Sequence, residues 1–252
     1  MHDETKPLKW GLPALAVVAY FLSRADGFLM NFLFWHFQMG FHELGHAIAG
    51  WMTGQAAIPT YGFTILFGES VFFHVLFLAA LGGGAYYGQV EESAFLKWVC
   101  TGLFLISLAV WAIARGPQII MLFNLGGFLG EILISTIFIC SFYYQLPRRF
   151  HWGFFRYFFV FISFIVLFKS YNTWSRAYQS PGNLPMSGSI HSSTDKSDTE
   201  KLLESRMWTG HTLPNFLVKT QQLCFFVIIV HYIIGFISTT PTPSRRRHDE
   251  NA

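Results

Sequence analysis

GFLMNFLFWHFQMGFHELGHAIAGWM, residues 27–52, is the stretch whose reading decides the fold of this chain. It is long enough to cross a bilayer as a helix, which takes about 20 apolar residues. It holds no Asp, Lys or Arg, and Glu43 is its one acidic residue. Asn31, Gln38, His42 and His46 follow one another at steps of seven, four and four. Those steps put four polar side chains on one face of a helix. The spacing therefore predicts an apolar helix with a polar stripe turned toward other helices. Gly45, Ala47, Ala49 and Gly50 are small enough to let a neighbouring backbone come close, as in membrane helix packing.

The rest of the chain agrees with this reading. Of 252 residues, 52% are hydrophobic and only 12% charged, about half the charged share of a soluble domain. The 29 Phe and 8 Trp suit lipid-facing surfaces and interfacial belts. Further apolar runs cover 12–22, 62–81, 93–114, 118–146, 152–168 and 216–237. The run at 62–81 is expected to break at Gly82-Gly83-Gly84. Pro13, Pro59, Pro117 and Pro147 fall near run ends, where proline harms a helix least. The expected fold is all-α, a polytopic membrane helix bundle with six to seven transmembrane segments. Six is preferred, because the first run is short enough to be interfacial or re-entrant.

Four regions are expected: a membrane domain at 1–170, a flexible polar loop at 171–214, a transmembrane helix at 215–240 and a basic disordered tail at 241–252. The loop is rich in Ser, Thr, Asp, Lys, Gly and Pro and shows no apolar period at 192–198. Within it, Thr199–Trp208 is expected to form a short amphipathic helix. Basic clusters at Lys6/Lys9/Arg24, Arg148/Arg149/Arg156 and Arg245–Arg247 can all face the cytoplasm if one early run does not span, and the polar loop then faces outward. The polar start, Met1–Trp10, leads into an apolar run without a small-residue cleavage site, so no cleaved signal peptide is expected. Cys100, Cys140 and Cys224 lie far apart in apolar runs and read as buried thiols. A net charge of +3 without a basic stripe excludes nucleic acid as a partner.

Chemistry concentrates in His42-Glu43-Leu44-Gly45-His46. Two histidines at i and i+4 share a helix face and can hold one Zn²⁺, with the Glu after the first as general base. The site expected is His42 and His46 on Zn²⁺ and Glu43 as the catalytic base. A catalytic zinc also needs a third protein ligand and an open position. No Asp lies between Asp26 and Asp195. Glu131, in the middle of a long apolar run, is the expected third ligand, with His74 and Asn124 as alternatives. Asn124, Gly127 and Glu131 share a helix face, and Gly126 and Gly130 thin the helix there. Asn124, Gln38 and Glu69 are expected to support the ligands by hydrogen bonds, and Asn124 is also a candidate donor to an oxyanion. His36 is a weaker candidate on a nearby face.

Phe41-His42-Glu43-Leu44-Gly45-His46-Ala47-Ile48-Ala49-Gly50 resembles the site-2 protease family of intramembrane zinc metalloproteases, especially its small bacterial members. Thr53-Gly54, Pro59 and Gly62 are loosely similar to the segment that follows in that family, so the resemblance covers about 27–65. It implies that His42 and His46 bind zinc and that Glu43 activates water. The family's third ligand is usually an Asp beside Asn, Pro or Gly on a later helix. Here Asn124-Leu125-Gly126-Gly127 stands at a comparable separation without that Asp. A weaker likeness is to the membrane proteases that process prenylated proteins, which use Glu as third ligand. The implied function is a zinc-dependent intramembrane peptidase acting on transmembrane protein substrates among membrane lipids, in a bacterial inner membrane. The alternatives are an inactive relative that binds metal or partner helices, and a transporter using Glu69, His74 and Glu131 as a polar path.

Overall fold

The computed structural model describes residues 5–25, 27–144, 146, 152–185 and 196–238. Its order is α1 (Thr5–Ser23), α2 (Phe28–Met52), β1 (Gln55–Thr60), β2 (Phe63–Glu69), α3 (Val71–Val90), α4 (Ala94–Ile113), α5 (Pro117–Cys140), α6 (Trp152–Gln179), α7 (Asp198–Glu204) and α8 (Thr212–Ser238). The protein is an all-α membrane bundle carrying one small hairpin. Five helices, α3, α4, α5, α6 and α8, are long and apolar enough to cross a bilayer. The 25-residue α2 is long enough as well and carries the polar stripe. The apolar part of α1, Lys9–Ser23, is shorter than a span.

The central helix is α5, with 72% of its apolar window enclosed, against 17% for α3 and 6% for α4. Pro117 opens it, where the missing N–H costs nothing. Its Gly126 and Gly130 meet Gly45 of α2 backbone to backbone. A Cβ on Gly45 would lie 2.2 Å from the Gly126 carbonyl oxygen and 2.6 Å from Gly130 Cα. Glycine on both helices thus sets the distance at which α2 and α5 cross. Behind α5, helices α6 and α8 pack Trp174, Ile165, Leu167 and Leu217 into a continuous core that Leu202 of α7 joins.

The run expected to span at 62–81 is divided instead. Its first part is strand β2, paired antiparallel with β1 around the Tyr61-Gly62 turn. Gly62 has φ +89°, the left-handed conformation that such tight turns require and glycine adopts freely. Helix α3 then begins at Val71 and runs unbroken through Gly82-Gly83-Gly84. In lipid the backbone has no partner outside its own helix, which outweighs the weak helix propensity of three glycines. The hairpin folds back along α2. Trp51 Nε1 donates to the Ala57 carbonyl at 2.8 Å, Thr64 lies at Glu43, and Tyr61 at the tip meets the rings of Trp35 and His36. From Trp51 to Trp35 a helix descends about 24 Å, so the hairpin dips most of the way along the helix.

The stretch read as loop from 171 onward is partly helical: α6 continues to Gln179, and the short helix is Asp198–Glu204. Residues 186–195 of that loop and the basic tail lie outside the described residues, as do Arg148, Arg149 and the side chain of Asn31.

Candidate metal centre

Helix α2 turns His42 and His46 toward α5, their ring centroids 4.7 Å apart. Each ring is fixed through Nδ1. His46 Nδ1 donates to the Phe123 carbonyl at 2.7 Å, and His42 Nδ1 is 2.8 Å from Glu131 Oε1. With the proton on Nδ1, the lone pair of each ring lies on Nε2. Both Nε2 atoms point at one oxygen, Asp198 Oδ2, at 3.1 Å from His42 and 3.0 Å from His46. Lone pairs facing a carboxylate oxygen repel unless a proton or a cation lies among them. Donors each about 2.0–2.1 Å from a tetrahedral ion are roughly 3.3 Å from one another, close to this spacing.

The cradle is closed from α5 by Gly127. A Cβ there would lie 2.5 Å from both Nε2 atoms. Any other residue would fill the space between the two Nε2 atoms. His42, His46 and Asp198 are the described residues whose ligand atoms converge in this way, all within 4.8 Å of one another. Two imidazole nitrogens and a carboxylate oxygen form a set that suits zinc and related divalent metals.

Asp198 reaches the site because α7 docks by its apolar side, with Thr199 and Leu202 buried. Ser197 caps the helix by accepting from the Glu200 backbone N–H, while Glu200 accepts from the Ser197 backbone N–H. This capping box starts the helix at Asp198. Lys201 Nζ stands 3.7 Å from the other carboxylate oxygen. Burial alone would raise the Asp198 carboxyl; where no cation lies between them, protons on Nε2 of His42 and His46 hydrogen-bond to it, and with their charge they hold it well below the usual carboxylate range.

Glu43 is buried beside the pair. Thr64 Oγ1 on β2 is 2.7 Å from Glu43 Oε2 and 3.0 Å from the Glu43 carbonyl. Strand β2 thus holds the carboxylate that the motif assigns as base.

The carboxylate that converges with the two Nε2 atoms is Asp198, where Glu131 was the expected third ligand. Glu131 is buried on α5 but meets His42 at Nδ1, on the ring edge opposite the one that faces Asp198. Gln38 Nε2 donates to its second oxygen at 3.0 Å. The alternatives are also elsewhere. His74 stacks on Trp111 at 5.0 Å and donates from Nδ1 to the Trp51 carbonyl at 2.9 Å. Asn124 is buried on α5, one turn before Phe128. Glu69 is exposed at the end of β2, opposite Gln55, and supports no ligand. His36 is 2.5 Å from the Phe32 carbonyl of its own helix.

Sequence reasoning missed Asp198 because the polar stretch lacks the apolar period that marks a docked element. One signal was present: Ser197-x-x-Glu200 is the signature of a helix start, with Asp198 as its first residue. Comparison of the chain with protein-family models, with curated proteins and with solved structures finds no match in any of the three.

Proposed function

We propose that this membrane protein is a zinc-dependent intramembrane peptidase, as the likeness of residues 41–50 to the site-2 proteases implies, working in a bacterial inner membrane. The observation that carries the reading is the convergence of both imidazole Nε2 atoms and Asp198 Oδ2, with Glu43 next in sequence to the first ligand. His42, His46 and Asp198 would hold the metal ion, which would lower the pKa of water to about 7 and polarise a carbonyl. Glu43 accepts the proton of the attacking water and returns it to the amide nitrogen as the C–N bond breaks. The hydroxyl oxygen ends on the former carbonyl carbon, giving an acid and an amine. Thr64 holds Glu43 Oε2, so Oε1 is the oxygen that carries the proton.

Strand β2 supports a peptide substrate. Among the described residues it is paired on one side only, by β1. Its side chains Ile65, Leu66 and Phe67 are exposed. Open sheet edges are costly in hydrocarbon, where no water pairs their N–H and C=O groups. An extended segment of a membrane protein can pair with that edge by strand addition, which carries its backbone past Thr64 toward Glu43. The missing aspartate that favoured an inactive relative now has a counterpart in Asp198. The transporter reading loses support, because Glu69, His74 and Glu131 sit in three separate settings.

The test is zinc content and cleavage of a transmembrane peptide by purified protein. Glu43→Gln is expected to keep its zinc and lose cleavage. Zinc-loaded wild type that cleaves no transmembrane segment, across a panel of candidate sequences, would reject the peptidase reading and leave a metal-binding membrane protein.

A further inference from the structure

The two imidazoles of the centre are held differently. His46 Nδ1 faces a neutral backbone carbonyl, that of Phe123. His42 Nδ1 faces a carboxylate, Glu131 Oε1, at 2.8 Å. Glu131 is only 5% exposed. It stands one helical turn after Gly127 on α5, and Gln38 stands one turn before His42 on α2. Gln38 binds the second Glu131 oxygen at 3.0 Å. The three side chains therefore form a chain from Gln38 through Glu131 to His42, with both carboxylate oxygens used. A buried carboxylate is costly unless its oxygens are hydrogen-bonded, and here each has a donor.

From this we infer that Glu131, steadied by Gln38, is the positioning residue of His42. It holds the Nδ1–H tautomer, so that the Nε2 lone pair points at the site. It also sets a negative charge against the far edge of the ring, which makes His42 a stronger donor than His46. A carboxylate behind a ligand imidazole fixes tautomer and orientation and raises ligand basicity. A fixed ring direction matters because the glycine crossing of α2 and α5 places the two backbones, not the edges of the imidazole. The inference rests on the metal reading of the site, but assigns a task to a residue that does not touch the ion.

The experiment measures Zn²⁺ affinity of the full chain in detergent by chelator competition, together with the visible absorption of the Co²⁺-loaded protein. Glu131→Gln keeps the size and loses the charge. It is expected to bind Zn²⁺ about 10–100-fold more weakly and to shift the Co²⁺ bands, while the metal-free protein unfolds at the wild-type temperature. Glu131→Asp is expected to recover part of the affinity, and Gln38→Leu to lose part of it. A folded Glu131→Gln with wild-type affinity and an unchanged Co²⁺ spectrum overturns the inference. If Glu131→Gln does not fold, Gln38→Leu decides, and wild-type affinity in that variant overturns it equally. Failure of the metal reading looks different: wild type then binds no Zn²⁺, and His46→Ala changes nothing.

Discussion

Asp198 Oδ2 lies 3.0 Å from His46 Nε2 although the two residues are 152 positions apart. One belongs to a short helix in a polar segment, the other to an apolar helix near the start of the chain. The contact joins the segment between α6 and α8 to the floor of the site.

Removing that contact should empty the centre. Asp198→Ala is expected to lower Zn²⁺ affinity by more than the ~10–100-fold typical of losing an outer partner, because it removes a ligand atom. Metal analysis after dialysis against a weak chelator reads this. Zinc retained at the wild-type level in Asp198→Ala would return the third-ligand role to another residue.

Gly127 and Gly82 make opposite predictions for the same change. Gly127→Ala puts a Cβ 2.5 Å from both Nε2 atoms, so metal binding should fail while the bundle persists. Nothing lies within 4 Å of a Cβ on Gly82. Gly82→Ala is expected to raise stability by up to about 1 kcal/mol through helix propensity alone. Zinc content and thermal unfolding, measured on both variants, separate the two effects.

Acid should release the metal through the imidazoles. Each must lose the proton from Nε2 to bind, whereas the Asp198 carboxyl is held well below the usual carboxylate range and stays ionised. Zinc affinity is therefore expected to rise with pH across the acid range. Affinity measured across pH 4.5–8 checks this. A slope near zero over that window would mean that the imidazoles are not ligands.

Metal should also clamp α7. Its described polar links to the bundle run through Asp198 to His42 and His46, whereas the Lys196–Glu204 pair and the capping box are internal to the segment. Chelation is therefore expected to speed proteolytic cutting at Lys196, Lys201 or Arg206 by trypsin in intact membranes, and added Zn²⁺ to slow it. Equal cutting with and without metal would show that burial of Leu202 alone holds the segment.

The basic residues at one end of the bundle predict its orientation. Lys9 lies over the Phe236 ring near the end of α8, and Arg156 lies over Phe142 near the end of α5. The cluster of His42, His46 and Asp198 is toward the other end, where α6 stops and α8 starts. With Arg148 and Arg149 following α5 and Arg245–Arg247 following α8 in the sequence, the Lys9 end is expected to be cytoplasmic by the positive-inside rule. Ser180→Cys, at an exposed position after α6, is expected to react with an impermeant thiol reagent in intact cells, while a tag at the C-terminus stays protected. The reverse pattern would put the centre on the cytoplasmic side.

Local order made much of this protein readable. Length and apolarity of a run mark most of the membrane helices, because lipid offers the backbone no other partner. The step from His42 to His46 suffices for a shared face, because helix geometry repeats every few residues. The sequence by itself therefore determined the bundle, the imidazole pair and the adjacent Glu43. It did not determine that 63–69 is a strand returning along α2, because an apolar run of that length suits a strand or a helix equally. Nor did it bring Asp198 forward beside Glu131, because the stretch that carries Asp198 lacks the apolar period of a docked element. Only packing decides that one meets Nδ1 and the other Nε2, since opposite edges of one ring are distinguished by which helix lies behind it and which segment folds over it.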